Sequence, residues 1–426
     1  MIAQGTVAWR SCWLGFVPAL VVWLVTAVPA SYAYEVWLTD QSDTGKESGG
    51  YLHIYDGAKL AADPPSAKPI QTIDLSGEIG KFCEETTQKA VRRPHMVFFN
   101  AKQDHVILSF LSGHVLFMDA ATKKPKACLL VGKNAHAAWP TPNEKMAITA
   151  NIADKRFIRI WTDYAAGRYW FDPEKDVLDL TAFEGGELPD TAPICPITES
   201  SSRYAFVTLR GGGLLVIDVT ATPLKVVATL GNRHIEPAGC GGIEADGTMY
   251  INSGGGWPVA PLSYYIYALD LTNLPQSISA KLVSHREGQF ADSHGMASVG
   301  RYVWSADRAG NDIEVIDTLS QLSVGSIDLV TDANRDPAPD LMDVSPDGRY
   351  VFVTLRGPNP LTGDHKDAHN AQGLVPGVGV VQVEEAGRSG RYRGQAIITN
   401  LREGKETADP HGIAVRKESP LSAGFR

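Results

Sequence analysis

The sequence predicts an all-β fold: a seven-bladed β-propeller of four-stranded antiparallel blades, closed by pairing a C-terminal strand with N-terminal strands. Short strand–turn–strand units recur along the chain at a period of about 40 to 50 residues, which is typical of propellers and solenoids. The last unit is incomplete at the C terminus, and strands that could complete it stand at the N terminus. The ends of a solenoid need caps rather than each other, so the split unit favours a closed ring.

The clearest copies of the repeating unit run from Arg203 to Asp218, from Arg301 to Asp317 and from Arg349 to Arg356. Each begins with a run of β-branched and aromatic residues, and the longer copies add a second such run after a Gly or Asn turn, which is the pattern of a hairpin. A further strand follows, as at Lys225–Leu230. The seven opening strands are expected to begin near His95, His136, Ile194–Cys195, Gly239–Cys240, His294, Asp340 and His411.

The closing unit is divided between the two ends of the chain. Asp409–Val415 reads as an opening strand, but the chain stops before the strands that should follow it. Tyr34–Thr39 and Gly50–Tyr55 supply two strands with no opening strand before them. We therefore expect the C-terminal strand to complete the sheet that the N-terminal strands begin.

The amino-acid composition and net charge indicate which kinds of partner the protein can bind. The 41 Gly and 26 Pro among 426 residues suit a globular all-β protein with many turns. A net charge of -9 argues against nucleic acid and anionic membranes, which require basic patches. The expected partner is a small molecule or a protein in the periplasm, with no nucleic acid and no membrane apart from an N-terminal anchor that could remain uncleaved.

Residues 1–33 are predicted to be a signal peptide. Arg10 gives a weak positive start, Cys12–Val28 is an apolar run, and Ser31–Ala33 offers small residues for cleavage. Because the apolar run is somewhat long, an uncleaved anchor is the alternative. The propeller then spans 34–417, with a C-terminal tail at 418–426 and a periplasmic or secreted location.

Four cysteines remain after removal of the signal peptide, and exported proteins fold under oxidising conditions. Cys83 and Cys128 have the same sequence separation as Cys195 and Cys240, about one repeat. Two disulfides at similar positions in adjacent repeats are expected from this spacing, although four cysteines allow three connectivities.

Three repeat motifs resemble the YVTN family of bacterial β-propellers. They are Pro-His-Gly-Ile at Pro410–Ile413, Ser-Pro-Asp-Gly-Arg-Tyr-Val-Phe-Val-Thr at Ser345–Thr354, and Asp-Ile-Glu-Val-Ile-Asp at Asp312–Asp317. The resemblance covers most of residues 34–417 and implies a seven-bladed propeller. The broad superfamily includes the propeller domains of nitrous oxide reductase and of haem-containing nitrite reductase. Many members resembling this pattern are exported and have no assigned activity, so fold does not supply function.

The first residues of each opening strand should line the mouth of the central channel, because that strand is the innermost of its blade. Ring closure would place blades five, six, seven, one and two in one arc. Histidines with a single carboxylate favour copper or zinc over calcium or magnesium. In the alternative interpretation, these side chains tie blade to blade by hydrogen-bonding to backbone at the inner rim. The candidate metal ligands are His294, Asp340, His411, His95 and His136.

The catalytic copper cluster of nitrous oxide reductase, by resemblance, is held by histidines around such a mouth. This chain shows no adjacent His-His pair and no copper domain with clustered Cys, His and Met, so it is not a nitrous oxide reductase. Copper nevertheless remains the candidate cofactor.

Two further sets of residues are weaker candidates for ligand binding. Arg210, Arg308 and Arg356 recur after the second strand of their blades, where they could bind an anion or form inter-blade salt bridges. His365 and His369 lie in the long insertion between Gly357 and Gly377 and could chelate a divalent cation, or the insertion could be a solvated loop.

The leading functional prediction is an exported propeller that presents a ligand, metal or partner site at the channel mouth. A copper-dependent periplasmic oxidoreductase is the first alternative. A lactonase-like hydrolase is the second, because some bacterial lactonases look like seven-bladed propellers of related sequence. The chain has no Gly-x-Ser-x-Gly elbow, phosphate-binding loop, His-Glu-x-x-His or Cys-x-x-Cys-His, so whether it is an enzyme stays open.

Overall fold

The computed structural model describes Met1 and residues 34–417, apart from 186, 238, 255–262, 288–290 and 364–369. Seven four-stranded antiparallel sheets form a ring, which confirms the predicted seven-bladed β-propeller. We number the blades in the order in which their opening strands follow along the chain. The predicted signal peptide (beyond Met1) and the predicted tail lie outside the described residues.

The N-terminal segment builds most of blade seven and the connection to blade one. Asp56 caps the first helix by accepting a hydrogen bond from the Lys59 N–H at 3.1 Å. Among the described residues, no helix has the length and apolar character needed to cross a membrane. The elements are β1 (Tyr34–Asp40), β2 (Tyr51–Asp56), α1 (Gly57–Ala62), a 3₁₀ turn at Pro64–Ser66, β3 (Gln71–Asp74) and α2 (Glu78–Thr87).

Blades one to three follow. Blade one contains β4 (Pro94–Phe99), β5 (His105–Phe110), β6 (His114–Asp119) and β7 (Pro125–Leu130). Blade two contains β8 (Ala135–Pro140), β9 (Met146–Asn151), β10 (Arg156–Asp163) and an outer edge in two pieces, β11 (Arg168–Trp170) and β12 (Val177–Asp179), both paired with β10. Blade three contains β13 (Pro193–Thr198), β14 (Tyr204–Leu209), β15 (Leu214–Asp218) and β16 (Lys225–Leu230).

Blades four to seven complete the ring. Blade four contains β17 (Gly242–Ala245), β18 (Thr248–Gly254), β19 (Ser263–Asp270) and β20 (Ser279–Glu287). Blade five contains β21 (Ser293–Val299), β22 (Tyr302–Asp307), β23 (Asp312–Asp317) and β24 (Leu322–Asp328). Blade six contains β25 (Pro339–Val344), β26 (Tyr350–Leu355), β27 (Gly377–Glu384), a 3₁₀ turn at Glu385–Gly387 and β28 (Ser389–Ile397). A short ribbon, β29 (Leu401–Arg402) and β30 (Lys405–Glu406), leads to β31 (Pro410–Lys417), the opening strand of blade seven.

The hydrophobic core lies in layers between adjacent blades. The second strands β5, β14 and β22 are buried at every position, because each is covered on both faces by neighbouring blades. Their sequences are accordingly nearly continuous runs of apolar residues, as expected for strands buried on both sides. The outer strand β24 is mostly exposed. The opening strands are therefore held rigidly against the channel by the layers behind them.

Pairing of the two chain ends closes the ring, as the sequence predicts. Strand β31 pairs antiparallel with β1, with Tyr34 opposite Lys417 and Val36 opposite Val415. Blade seven then reads β31-β1-β2-β3 from the channel outwards. This closure brings the opening strands of blades seven and one side by side at the channel.

Both predicted cysteine pairs form disulfides. Cys195 in β13 joins Cys240 just before β17, so this bridge links the inner strands of blades three and four. Cys83 joins Cys128, but Cys83 lies in α2 rather than in a strand. The expectation of similar repeat positions is therefore wrong for this pair, which fastens an inter-blade helix to the outer strand of blade one.

His114 holds α2 against blade one as a neutral ring. The Thr87 hydroxyl donates to the Cys83 carbonyl and accepts from Nε2 of His114 at 2.9 Å, while the Ser112 hydroxyl donates to Nδ1 at 2.9 Å. Burial lowers the pKa of His114 to about 4, and the charge of Lys89 acts in the same direction. Protonation of Nδ1 would prevent it from accepting the hydrogen bond of the Ser112 hydroxyl.

This neutral histidine makes stability depend on pH. Between an unfolded pKa of about 6.5 and a folded pKa of about 4, the unfolded chain binds a proton that the folded chain does not, so stability falls as pH falls through this window. Between pH 7.5 and pH 5, the free energy of unfolding of the parent protein is expected to fall by about 2 kcal/mol more than that of His114→Gln. Urea unfolding at the two pH values measures this difference. Equal losses in the two proteins would contradict this role.

Candidate metal centre at the channel mouth

A β-bulge near the start of each of five opening strands places the candidate ligands at corresponding positions. In β4 the pairing with β5 skips from Pro94 to Met96, which leaves His95 unpaired. The register also shifts in β8, β21, β25 and β31 at the corresponding place. A bulge bends its strand and re-aims a side chain, and bulges are frequent beside functional sites. The residue that follows the first paired position in these five strands is His95, His136, His294, Asp340 or His411.

These five residues form one compact group, which we call the mouth cluster. The ring centre of His95 lies 4.0 Å from that of His411 and 4.3 Å from that of His136, and His294 lies 5.4 Å from His411. Asp340 stands between two histidines, with Oδ1 2.5 Å from Nδ1 of His294 and Oδ2 2.6 Å from Nδ1 of His411. His136 is half-buried, and the other four are buried. The structure thus brings together all five sequence-predicted metal candidates.

The hydrogen bonds that join one blade to the backbone of the next at this rim are made by hydroxyl and amide side chains rather than by the imidazoles. The Thr39 hydroxyl donates to the carbonyl of His95 at 2.9 Å, and the Thr354 hydroxyl donates to the carbonyl of His411 at 2.7 Å. Ser109 and Asn252 make the same bond to His136 and His294. Each donor sits on the second strand of the preceding blade. The backbone tie given above as an alternative role for the histidines is therefore made by other side chains, whereas the rings of His95, His294 and His411 contact side chains of neighbouring blades.

The hydrogen-bond partners fix which ring nitrogens carry protons. The amide nitrogen of Gln41 donates to the Asp409 carboxylate at 3.1 Å, so its amide oxygen faces His95 and accepts from Nδ1–H at 3.0 Å. The Asp340 carboxylate accepts from Nδ1–H of His411. In neutral rings, Nε2 of His95 and Nε2 of His411 are then both unprotonated, and these two nitrogens lie 3.1 Å apart. These two unprotonated nitrogens are buried and close enough to repel each other.

The electrostatics keep the rings neutral and the carboxylate charged. Burial lowers the pKa of His95 well below its usual value, and the neighbouring His411 acts in the same direction. Burial also lowers the pKa of His411, and it lowers that of His294 to about 3. Burial alone would raise the pKa of Asp340, but contacts with His294, His411 and Arg356 hold it well below its usual value. The mouth cluster is therefore a set of lone-pair donors around one anion.

The three arginines considered for ligand binding are paired with carboxylates. Arg356 contacts Asp409 at 2.6 Å and Asp340 at 3.0 Å. Arg308 contacts Asp340 from the opposite side, at 3.5 Å. Arg356–Asp409 and Arg308–Asp340 are ion pairs between adjacent blades, which was the alternative interpretation. Arg210 contacts Asp190 within blade three, outside the mouth cluster.

Blades three and four contribute a cystine to the same mouth. Nδ1 of His136 lies 3.4 Å from Sγ of Cys195 and 3.6 Å from Sγ of Cys240. In β13 the bulge leaves both Ile194 and Cys195 unpaired, and Cys195 is the second of the two, one position further along than the histidines. Every blade therefore places at least one polar or sulfur side chain at this end of the channel.

The long insertion of blade six begins and ends beside the mouth cluster. Thr362 accepts hydrogen bonds from Arg356 and Gln41, and the Asn370 amide donates to Asp292 at 2.7 Å. The candidate residues His365 and His369 lie outside the described residues.

Sequence reasoning missed Gln41 and Asp409 as partners of the mouth cluster. Gln41 follows the second strand of blade seven and pairs by backbone with Asp409, as Arg308 does with Asp292 in blade five. Gln41 thus occupies the repeat position of the three arginines. Aligning that repeat position across the split blade would have identified Gln41. Its residue type gave no signal, because the other three residues compared at this position are arginines.

Comparisons with known proteins support the fold and leave the activity open. No protein-family model matches the chain, and no curated protein sequence matches it. A "putative 6-phosphogluconolactonase" from Bacteroides fragilis is structurally similar with a TM-score of 0.57 at 12% identity, covering 91% of this chain and 99% of that chain. The corresponding protein from Bacteroides uniformis gives 0.53 at 13% identity over 90% and 99%. The Cps50 (Swd1) β-propeller domain of Myceliophteria thermophila gives 0.50 at 10% identity over 76% and 93%. At these identities the likeness concerns the propeller fold, and membership of the YVTN family stays a prediction.

Proposed function

We propose that this protein is an exported metal-binding propeller that holds a transition-metal ion, copper or zinc, at its channel mouth. The observation that carries the proposal is the pair of unprotonated Nε2 atoms of His95 and His411, 3.1 Å apart in a buried setting. Without a cation the two lone pairs repel each other. A metal ion bound to both nitrogens removes that repulsion.

The spacing suits ligands of one ion. With metal–nitrogen bonds of about 2.0–2.1 Å, two nitrogens on the same ion lie about 2.9 Å apart at right angles and about 3.3 Å apart in a tetrahedron. The value of 3.1 Å falls between these limits. The rings of His136 and His294 are close enough to supply further ligands after small rotations.

The outer partners of the histidines also fit a metal centre. Histidine ligands almost always donate their second N–H to a carboxylate, carbonyl or water, which orients the ring. Here Asp340 accepts from His411, and Gln41 accepts from His95. Imidazole donors suit copper and zinc, and the single carboxylate is already engaged as an outer partner, which disfavours calcium and magnesium.

Two enzymatic functions remain narrower alternatives. A copper-dependent oxidoreductase would use the same ligands, with Asp340 as ligand or proton acceptor. A lactonase-like hydrolase has less support, because Asp340 is buried and already forms ion pairs with His294, His411 and two arginines. The similarity to solved propellers at 12–13% identity does not transfer an activity.

Export is part of the proposal. Two disulfides are typical of proteins that fold in an oxidising compartment, and they agree with the predicted signal peptide. A small molecule or protein of the same compartment would then be the partner that meets the metal at the mouth.

The metal content of the full chain tests this function. We expect protein purified from a periplasm without chelators or a His-tag to hold about one copper or zinc atom per chain by elemental mass spectrometry. His95→Ala/His411→Ala should lose this metal. His105→Ala removes a buried ring that pairs with Asp104 away from the mouth, and it should retain the metal.

A positioning variant sharpens the test. Gln41→Leu removes the acceptor that orients His95 and is expected to weaken metal binding about 10- to 100-fold while leaving the ligands in place. If copper and zinc both stay far below one atom per chain even after reconstitution, a proton shared by His95 and His411 explains the contact and the metal function fails.

A further inference from the structure

The cystine at the mouth lies at an unusual place for a purely structural bridge. Cys195 and Cys240 are buried, and both sulfurs face the same nitrogen, Nδ1 of His136. A disulfide sulfur is only a weak hydrogen-bond acceptor, so this nitrogen gains little from either contact. The three ligand atoms lie within 4.8 Å of one another.

The nitrogen already has the spacing of a metal ligand relative to both sulfurs. With metal–sulfur bonds of about 2.3 Å and metal–nitrogen bonds of about 2.0–2.1 Å, a tetrahedral site needs nitrogen–sulfur separations of about 3.5 Å and a sulfur–sulfur separation of about 3.8 Å. The two nitrogen–sulfur distances are 3.4 and 3.6 Å. Only the sulfur–sulfur separation must change, and breaking the disulfide bond permits that change.

We propose that Cys195, Cys240 and His136 form a redox-controlled metal site that binds a thiophilic divalent ion such as zinc when the disulfide is reduced. Two cysteines and one histidine leave a fourth position open for water or a ligand, the pattern of zinc sites that act on bound molecules. In the oxidised protein, the bond between the sulfurs closes the site.

A dithiol is the reductant that opens the Cys195–Cys240 disulfide in this proposal. A dithiol transfers two electrons and two protons to the Cys195–Cys240 bond, which yields two cysteine thiols and the disulfide of the reductant. Binding of the divalent ion then displaces both thiol protons to solvent, since the thiolate is the ligand. Reoxidation by a disulfide oxidant reverses the steps and releases the ion.

The site shares His136 with the mouth cluster but does not depend on the function proposed above. The metal of the mouth cluster would be held by Nε2 of His95 and Nε2 of His411, whereas the sulfurs contact Nδ1 of His136. Removal of His95 and His411 therefore separates the two proposals.

Cobalt(II) is the probe, because thiolate ligands give it intense charge-transfer absorption that imidazole ligands alone do not. The full chain, oxidised or reduced with a phosphine, receives one equivalent of Co²⁺, and the absorption and the retained metal are measured after desalting. We expect the charge-transfer absorption only after reduction, and zinc should displace the cobalt. His95→Ala/His411→Ala should keep this signal even if it loses the metal of the mouth cluster.

Matched cysteine variants locate the signal. Cys195→Ser/Cys240→Ser should abolish the absorption, and Cys83→Ser/Cys128→Ser, which removes the bridge of α2, should retain it. Zinc should also slow alkylation of Cys195 and Cys240 in the reduced protein without slowing that of Cys83 and Cys128. His136→Ala gives a second variant that leaves both disulfides in place.

Three results would overturn the proposal. The first is a reduced, folded protein in which Cys83, Cys128, Cys195 and Cys240 all titrate as thiols but no thiolate–cobalt absorption appears. The second is absorption that survives Cys195→Ser/Cys240→Ser or His136→Ala. If reduction itself unfolds the chain, zinc should restore the fold of the parent protein, and failure to do so is the third.

Discussion

A chain that ends at Asp409 is expected not to fold into a closed ring. It lacks β31, the opening strand of blade seven, whose residues from Pro410 to Val415 are all buried. Circular dichroism and urea unfolding should show loss of the cooperative transition, and the truncated protein should be recovered mainly as aggregate.

The expected loss is large because several contributions disappear together. Burial of an apolar side chain such as Ile413 or Val415 contributes about 1.5–3 kcal/mol each. The truncation also leaves β1 as an unpaired edge beside the channel, which favours association with other chains. Net stabilities of folded domains are only about 5–15 kcal/mol, so the sum of these losses is enough to unfold the ring.

A circular permutant is the matched control. Tyr34 lies directly opposite Lys417, so a two-residue Asn-Gly turn can join the two strands as a hairpin. New ends opened between Glu403 and Gly404 fall in an exposed turn of the short ribbon. The permutant should fold, whereas a folded, monomeric chain ending at Asp409 would show that β31 is dispensable.

The closed ring was predictable because the repeating unit recurs along the chain and one unit is divided between the two ends. Opening strands at His95, His294 and His411 repeat the same pattern, and each blade can bury its apolar strands only against a neighbour. The divided outer edge of blade two and the helix that carries Cys83 were not predictable in the same way. They lie in segments that do not repeat, so no second copy indicates their structure.

The composition of the mouth was predictable in part. Equivalent repeat positions place His294, Asp340 and His411 in successive blades, and ring closure then brings His411 beside His95. The direction of the His95 side chain was not predictable from alternation, because an unpaired bulge residue breaks the strict alternation of a strand. The contact of the cystine with His136 involves the second unpaired residue of the bulge in β13, whereas the other candidates occupy the first position, so the repeat pattern did not indicate it.

Replacement of Arg356 by methionine is expected to cost about 3–5 kcal/mol of the free energy of unfolding. The guanidinium is completely buried and bonds to both Asp340 and Asp409, while a third contact reaches the carbonyl of Thr362 at 3.0 Å. Methionine fills a similar volume but leaves the buried carboxylate of Asp409 without its cation, and it leaves Asp340 with Arg308, at 3.5 Å, as its remaining arginine. Removing one partner of a buried pair costs this much because the remaining charge is uncompensated.

A double-mutant cycle separates charge from packing. Arg356→Met/Asp409→Asn removes one orphaned carboxylate and should recover part of the loss, which gives a coupling energy of about 0.5–3 kcal/mol between the two sites. The matched control is Arg349→Met, where the guanidinium meets Asp347 at 2.6 Å but its side chain is 62% exposed. That change should stay within about 0.5 kcal/mol, because exposed ion pairs contribute little. Urea unfolding that gave Arg356→Met and Arg349→Met the same small effect would mean that water reaches the Arg356 network and that the mouth is more open than the packing of its side chains indicates.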